Sequence, residues 1–126
     1  MDYKGIIIEE SLIKPNILRE LEVVHTTISK VTEKEETPWL DKWTMHTVCI
    51  KEDKIDEYAE KLSKLIDITH CGNWYCDFKN DKFHYVVFSN KVFKLDRTNK
   101  QDYINMKEYA ISLGLPEHQL PQFIGE

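Results

Sequence analysis

The sequence predicts an α+β domain, an antiparallel sheet of about five or six strands with two long helices packed mainly on one face. Several short runs alternate β-branched and aromatic residues with polar ones, as half-buried strands do. Two longer segments instead repeat apolar residues at three- and four-residue spacing, the pattern of amphipathic helices. The 126 residues are 41% hydrophobic and 31% charged, a balance typical of globular proteins.

The first half of the chain contains three strand-like runs. They are DYKGIIIEE, EVVHTTISKVT and WTMHTVCIK, and each is rich in β-branched or aromatic residues. Between the first two runs, Pro15 and the apolar spacing of KPNILREL predict a short helical turn. The acidic segment EKEETPWLDK contains Pro38 and predicts a loop before the third strand.

The two long helices are predicted from their apolar spacing and from residues at their ends. The first begins near Asp53 and places its glutamates and lysines on the face opposite the apolar stripe. The second has a capping-box pattern at Thr98 and Gln101, and Gly114 followed by Pro116 predicts its end.

The whole chain, residues 1–126, is predicted to be a single domain. No internal repeat, linker or low-complexity segment divides it. Residues 115–126 are expected to be a C-terminal tail that docks on the domain through its apolar side chains.

The segment between the helices, NWYCDFKNDKFHYVVF, carries most of the functional information. A two-residue hairpin loop at Asn80 and Asp81 would place Asp77 opposite His84. Alternation along the strands then divides the side chains between two faces. One face carries Trp74, Cys76, Phe78, Phe83, Tyr85 and Val87, and the other carries Tyr75, Asp77, His84, Val86 and Phe88.

An aromatic sheet face of this kind predicts a non-catalytic binding or interaction module. It would serve self-association as a homodimer, or bind a small apolar or aromatic ligand. The alternative is that the preceding loop and the tail close the same face as ordinary core. The candidate binding residues are Trp39, Trp43, Trp74, Phe78, Phe83 and Tyr85.

A small enzyme is the alternative function, with an acid–base site formed by Asp77, His84 and Tyr75. A carboxylate beside an imidazole orients the ring for proton transfer, and a tyrosine hydroxyl supplies a donor. His46 on the third strand is a further candidate for this site. However, no nucleophile motif such as Gly-x-Ser-x-Gly is present, and an Asp–His pair also satisfies a polar position on a sheet.

Metal binding is not supported by the spacing of His70, Cys71, Cys76 and His84. Zinc motifs usually bring ligands in pairs separated by two to four residues, and this spacing lacks two such pairs. Alternation also places Cys76 and His84 on opposite faces of the hairpin, so one tetrahedral ion cannot take both. We therefore predict no metal and no cofactor.

Charge and composition argue against several partners. A net charge of −5 disfavours nucleic acid, and no apolar run is long enough for a membrane span. FHYVVF is similar to the aromatic half of an RNA-recognition motif, but the basic and glycine residues of that consensus are missing, so RNA binding is the least favoured function. Three cysteines without repeated spacing predict reduced thiols in the cytoplasm.

Four segments, which together span most of the chain, support a family resemblance. They are DYKGIIIEESL, TPWLDKWTMHTV, WYCDFKNDKFHYVVFSNKVFK and YAISLGLPEHQL. With these segments the chain resembles a small family of bacterial and archaeal cytosolic proteins whose function is uncharacterised. The resemblance implies a stand-alone prokaryotic cytosolic protein, and it implies no activity, ligand or catalytic residue.

Overall fold

A computed structural model describes residues 1–30, 42–66, 74–115, 117 and 120–121. The strands are β1 (Tyr3–Ile8), β2 (Glu22–Lys30), β3 (Lys42–Ile50), β4 (Cys76–Lys79), β5 (Phe83–Phe88) and β6 (Lys91–Asp96). They form one six-stranded antiparallel sheet in the order β2-β3-β1-β4-β5-β6. The predicted α+β class and antiparallel sheet are confirmed.

Two α-helices and two 3₁₀ helices accompany the sheet in the described ranges. The α-helices are α1 (Ile55–Ser63) and α2 (Lys100–Ser112), and the 3₁₀ helices are Glu9–Ser11 and Pro15–Glu20. None of these helices is long and apolar enough to cross a membrane.

The two α-helices lie on opposite faces of the sheet, which corrects the prediction that both pack mainly on one face. Tyr85 and Val87 of β5 belong to the same hydrophobic core as the buried side of α1, the first core. Val86 and Phe88 belong to the core that contains the buried side of α2, the second core. Since neighbouring residues of a strand point to opposite faces, the two cores lie on either side of β5.

The hairpin between β4 and β5 differs from the predicted one by two residues of register. The amide of Asn80 donates to the carbonyl of Phe83 at 3.0 Å, so the loop residues are Asp81 and Lys82. The Asn80 side-chain oxygen also accepts from the amides of Lys82 and Phe83, at 2.9 and 2.8 Å. Asn80 thus satisfies three backbone groups, the amide of Lys82 and both the amide and the carbonyl of Phe83, and this fixes the loop. Because the shift is an even number of residues, the predicted faces are unchanged.

The N-cap of helix α2 lies one residue later in the chain than predicted. Asn99, rather than Thr98, is the N-cap, and its side-chain oxygen accepts from the amides of Gln101 and Asp102 at 2.9 and 3.4 Å. Thr98 instead donates to the Asp96 carboxylate. Gly114 follows the helix with a φ of 91°, as its predicted role at the C-terminus requires.

Some predicted features can be located only in part. Trp39, His70 and Cys71 lie outside the described residues, as does most of the C-terminal tail. Within the described part of the tail, Leu115 and Leu120 are buried in the second core.

Gly5 generates the first testable prediction, because β1 and β4 approach each other closely at this residue. A methyl group on Gly5 would overlap the backbone carbonyl of Asp77 and come within 2.6 Å of the Phe78 ring. We expect Gly5→Ala to lower the free energy of unfolding by about 2–3 kcal/mol, since two backbones must separate. Urea denaturation measures this loss.

Gly114→Ala is the matched comparison for Gly5→Ala. A methyl group there meets no atom within 4 Å, and only the positive φ of 91° opposes it, so the expected cost is about 1 kcal/mol. An equal or smaller loss for Gly5→Ala would contradict the close approach of β1 and β4.

Candidate functional site

Three of the six candidate binding residues are buried in the first core. Trp74, Phe78 and Tyr85 are 8%, 0% and 2% exposed. The Tyr85 ring packs edge-on against Tyr3, with centroids 5.1 Å apart, and its hydroxyl donates to Asp56 of α1 at 2.6 Å. Helix α1 covers this side of the sheet, so the structure places the three rings in the core rather than on a recognition surface.

Two further candidates lie at the rim of the same core. The Trp43 ring packs edge-on against Trp74 at a centroid distance of 5.5 Å. Phe83 is half-buried, and the ammonium group of Lys94 lies 4.4 Å from its ring centre. Both rings therefore contact other side chains of the same chain, and only their edges can contribute to an apolar surface. The sixth candidate, Trp39, lies outside the described residues.

Burial of these rings also removes the surface on which RNA bases would stack. Tyr85 and Phe88, two rings of the FHYVVF run, are 2% and 0% exposed on opposite sides of the sheet. Base stacking requires an open ring face. The similarity to an RNA-recognition motif is thus explained by a strand that is buried on both sides.

Asp77 and His84 do contact each other, but diagonally rather than as directly opposed residues. In the ladder Asp77 is opposite Val86, and Lys79 is opposite His84. The His84 Nε2 atom still lies 2.6 Å from an Asp77 carboxylate oxygen. The His84 side chain is 7% exposed and that of Asp77 34%. The imidazole is therefore inside the protein, and the carboxylate is at the boundary with solvent.

The second partner of His84 is Tyr103 of α2, not Tyr75. The Tyr103 hydroxyl lies 3.1 Å from Nδ1, and the two rings meet at a centroid distance of 5.9 Å. Tyr75 is on the predicted face but packs against Phe88, with centroids 5.9 Å apart. Burial raises the pKa of Tyr75 above its usual value, which opposes its use as a proton-transfer group.

The donors and acceptors around His84 form a consistent chain. With Asp77 ionised, Nε2–H donates to the carboxylate, which leaves Nδ1 as an acceptor for the Tyr103 hydroxyl. Arg97 in turn hydrogen-bonds to the Tyr103 oxygen; this lowers the pKa of Tyr103, but burial outweighs it and the net shift is upward. Both imidazole nitrogens are therefore occupied by protein groups. This arrangement is what a buried structural histidine needs, and it leaves no ring nitrogen facing a substrate.

His46 lies on the other face of the sheet and does not approach Asp77 or His84. It is opposite Ile7 of β1, a residue of the first core, whereas His84 faces the second core. Its Nε2 atom lies 2.8 Å from a Glu9 carboxylate oxygen, and its Nδ1 atom lies 2.9 Å from the Thr26 hydroxyl. His46 therefore links the end of β1 to the edge strand β2.

The Glu9–His46 contact was not predicted from sequence. It depends on β1 pairing with β3 although β2 intervenes in the chain, and strand order is not encoded in local spacing. The neighbouring Glu10 follows the same pattern, because its carboxylate accepts from the Thr44 amide at 2.6 Å and the Thr44 hydroxyl at 2.7 Å. The sequence shows only that two glutamates follow β1, and this does not identify Thr44 and His46 as their partners.

Strand β2 is the most exposed regular element of the described structure. Eight of its nine residues are exposed and Ser29 is half-buried. Its large apolar side chains Val23, Val24 and Ile28 are 38%, 48% and 63% exposed. Exposed β-branched side chains along a sheet edge form a surface that another strand can cover.

Comparison of the chain with protein-family models, with curated proteins and with solved structures finds no match. The resemblance of the four sequence segments to a prokaryotic cytosolic family therefore remains an expectation. Functional inference for this chain rests on its own geometry.

The second prediction tests the Asp77–His84–Tyr103 chain. His84→Ala removes both hydrogen bonds and leaves the Tyr103 hydroxyl without its imidazole partner. We expect the free energy of unfolding to fall by about 2–3 kcal/mol. Glu108→Ala on the exposed side of α2 is the control, with an expected change within about 0.5 kcal/mol. Equal urea midpoints for the two variants would contradict a stabilising role for His84.

The third prediction concerns alkaline pH. Burial raises the pKa values of Tyr3, Tyr75, Tyr85 and Cys76 in the folded protein. In the unfolded chain these groups lose their protons first, so the unfolded state binds fewer protons at high pH. The contribution of these groups to the free energy of unfolding should therefore be fully present at neutral pH and be lost as the pH rises above about 9.

Tyr85→Phe tests the contribution of one phenol to that alkaline loss. The variant should be less stable at neutral pH, because the hydrogen bond to Asp56 is lost, but its stability should fall less steeply with pH. Urea midpoints measured from pH 7 to about pH 11 give the two slopes. Identical slopes would contradict a raised pKa for Tyr85.

Proposed function

We propose that the protein is a non-catalytic interaction module that works as a homodimer, joined through the outer edge of β2. The observation that carries the proposal is an exposed nine-residue edge strand whose central part lacks charge. In the described part of the chain, β3 is the only strand beside β2. Among the described residues, no strand pairs with the outward amide and carbonyl groups of β2, and a second strand can add there.

The two edge strands of the sheet differ in a way that favours β2. Strand β6 has six residues and carries Lys91, Lys94 and Asp96 along its length. Charges spread along an edge hinder pairing with another strand. Strand β2 carries charged residues only at its ends, Glu22 and Lys30. Its centre, VVHTTIS, has the β-branched composition that paired strands prefer.

A second copy of the chain is the occupant that the sequence of β2 fits. Strand β2 has a bulge at Val24, between Val23 and His25, and pairs regularly with β3 from His25 to Lys30. When two β2 strands run antiparallel about a twofold axis at Thr26, the bulge residue Val24 of one copy comes near Ile28 of the other. The same arrangement brings Glu22 of each copy near Lys30 of the other, so opposite charges meet at both ends. A parallel arrangement would instead bring like charges together.

The proposal keeps the predicted interaction module and relocates its surface. Five of the six aromatic residues predicted to form that surface belong to the first core or pack against it, whereas β2 carries three exposed apolar residues, Val23, Val24 and Ile28. The network around His84 supports a structural role for that histidine, and this favours the interaction module over the small enzyme. A prokaryotic cytoplasmic setting belongs to the same proposal, and the free thiols of Cys49 and Cys76 support it.

The fourth prediction exploits the charges at the ends of β2. Glu22→Lys alone should weaken the dimer about tenfold at low salt, because both ends then carry facing lysines. Adding Lys30→Glu should restore the affinity, since opposite charges meet again in the exchanged order. Sedimentation velocity over a range of protein concentrations measures the dissociation constant of each variant.

Ile28→Lys tests the apolar centre of the same strand. A lysine beside the twofold axis should abolish the dimer without unfolding the monomer, because the residue is 63% exposed. Ile111→Lys on α2, where the isoleucine is 50% exposed, is the control and should leave the dissociation constant unchanged. A wild-type chain that stays monomeric up to about 1 mM, or a double charge variant that stays weak, would contradict the proposal.

A further inference from the structure

An open cleft lies beside His46, between the end of β1, the 3₁₀ helix Pro15–Glu20 and strand β3. Its volume is about 300 Å³. Ligand sites in proteins occupy about 300–1,000 Å³, and this cleft is at the lower limit of that range, so its ligand must be small. The lining residues are Glu9, Pro15, Asn16, Leu18, Arg19 and His46.

Arg19 supplies a guanidinium group to this cleft that is available to a ligand. The residue is exposed, and no carboxylate of the described residues lies within ion-pair distance of it. Its neighbour Glu20 is directed to Lys61, with the two charged groups 3.5 Å apart. Asn16, three residues earlier, is also exposed and adds an amide with both donors and an acceptor.

Glu9 supplies the opposite charge in a fixed orientation. One carboxylate oxygen lies 2.8 Å from Nε2 of His46, whose other nitrogen is held by Thr26. The second oxygen makes no hydrogen bond to any residue that the structure describes, and it remains free to accept one. The Thr26–His46 chain therefore positions a carboxylate in the cleft before any ligand arrives.

The geometry points to a binding site for a small zwitterion, a molecule that carries both a carboxylate and an ammonium group, as free amino acids do. The planar guanidinium of Arg19 can pair with the ligand carboxylate through two parallel hydrogen bonds. The free oxygen of Glu9 accepts from the ligand ammonium. Pro15 and Leu18 offer apolar contact to the rest of the ligand. This site does not rest on pairing of β2.

The experiment is a titration of the ¹⁵N-labelled full-length chain with each of the standard L-amino acids, followed by ¹H–¹⁵N correlation spectra. At least one amino acid should shift the signals of Asn16, Arg19 and His46. The tightest binder is then compared with its two closest analogues, the acid that lacks the amino group and the amine that lacks the carboxylate. Both analogues should bind at least about tenfold more weakly, because each loses one charged partner.

Three variants separate this site from general surface binding. Arg19→Gln and Glu9→Gln should each raise the dissociation constant at least about tenfold. Lys14→Gln removes a nearby exposed cation that does not line the cleft, and it should leave the constant unchanged. The inference is overturned if no amino acid binds below about 10 mM. It is equally overturned if the acid that lacks the amino group binds as tightly as the amino acid itself.

Discussion

The burial of β5 on both faces is the constraint on which the rest of the fold depends. Every residue from His84 to Phe88 is buried, with Tyr85 and Val87 in the first core and Val86 and Phe88 in the second. A strand with apolar side chains on both faces needs a cover on each side, so one helix must lie on either side of it. The single polar residue in this run, His84, is tolerated because Asp77 and Tyr103 satisfy both ring nitrogens.

Much of the local structure could be predicted because it depends on periodicity. The division of the hairpin into two faces was correct although the loop was misplaced, since a shift of two residues leaves alternation intact. The loop was predicted one residue too early, because Asn80 lies directly before the loop and not in it. From that position its side-chain oxygen accepts from the amides of Lys82 and Phe83. An amphipathic helix pattern shows which side of a helix is buried but not which face of the sheet it covers. The apolar character of both faces of the hairpin was the signal for helices on opposite sides.

The contacts of the candidate sites could not be predicted where they join distant segments. Asp77 and His84 belong to one hairpin, and their proximity followed from sequence. Tyr103 reaches His84 from α2, and Glu9 reaches His46 across a pair of strands that are not consecutive in the chain. Such contacts depend on strand order and helix placement, which are set by the global packing of the sheet. The same limit explains why the sequence did not show that the aromatic rings of the hairpin are covered by helices.

The place of β1 in the sheet also has a consequence for how the chain reaches its native state. This strand precedes the other five strands of the sheet in the chain, yet it lies inside the sheet, with Lys4 paired to Cys49 on one side and Lys79 on the other. Neither edge of β1 can be closed by sequence-local pairing, so joining β1 to the sheet requires the closure of two long loops. Distant pairings of this kind slow folding, whereas the pairs β2–β3, β4–β5 and β5–β6 join strands that are consecutive in the chain. During synthesis, β1 must therefore wait with an open edge until β4 has emerged from the ribosome.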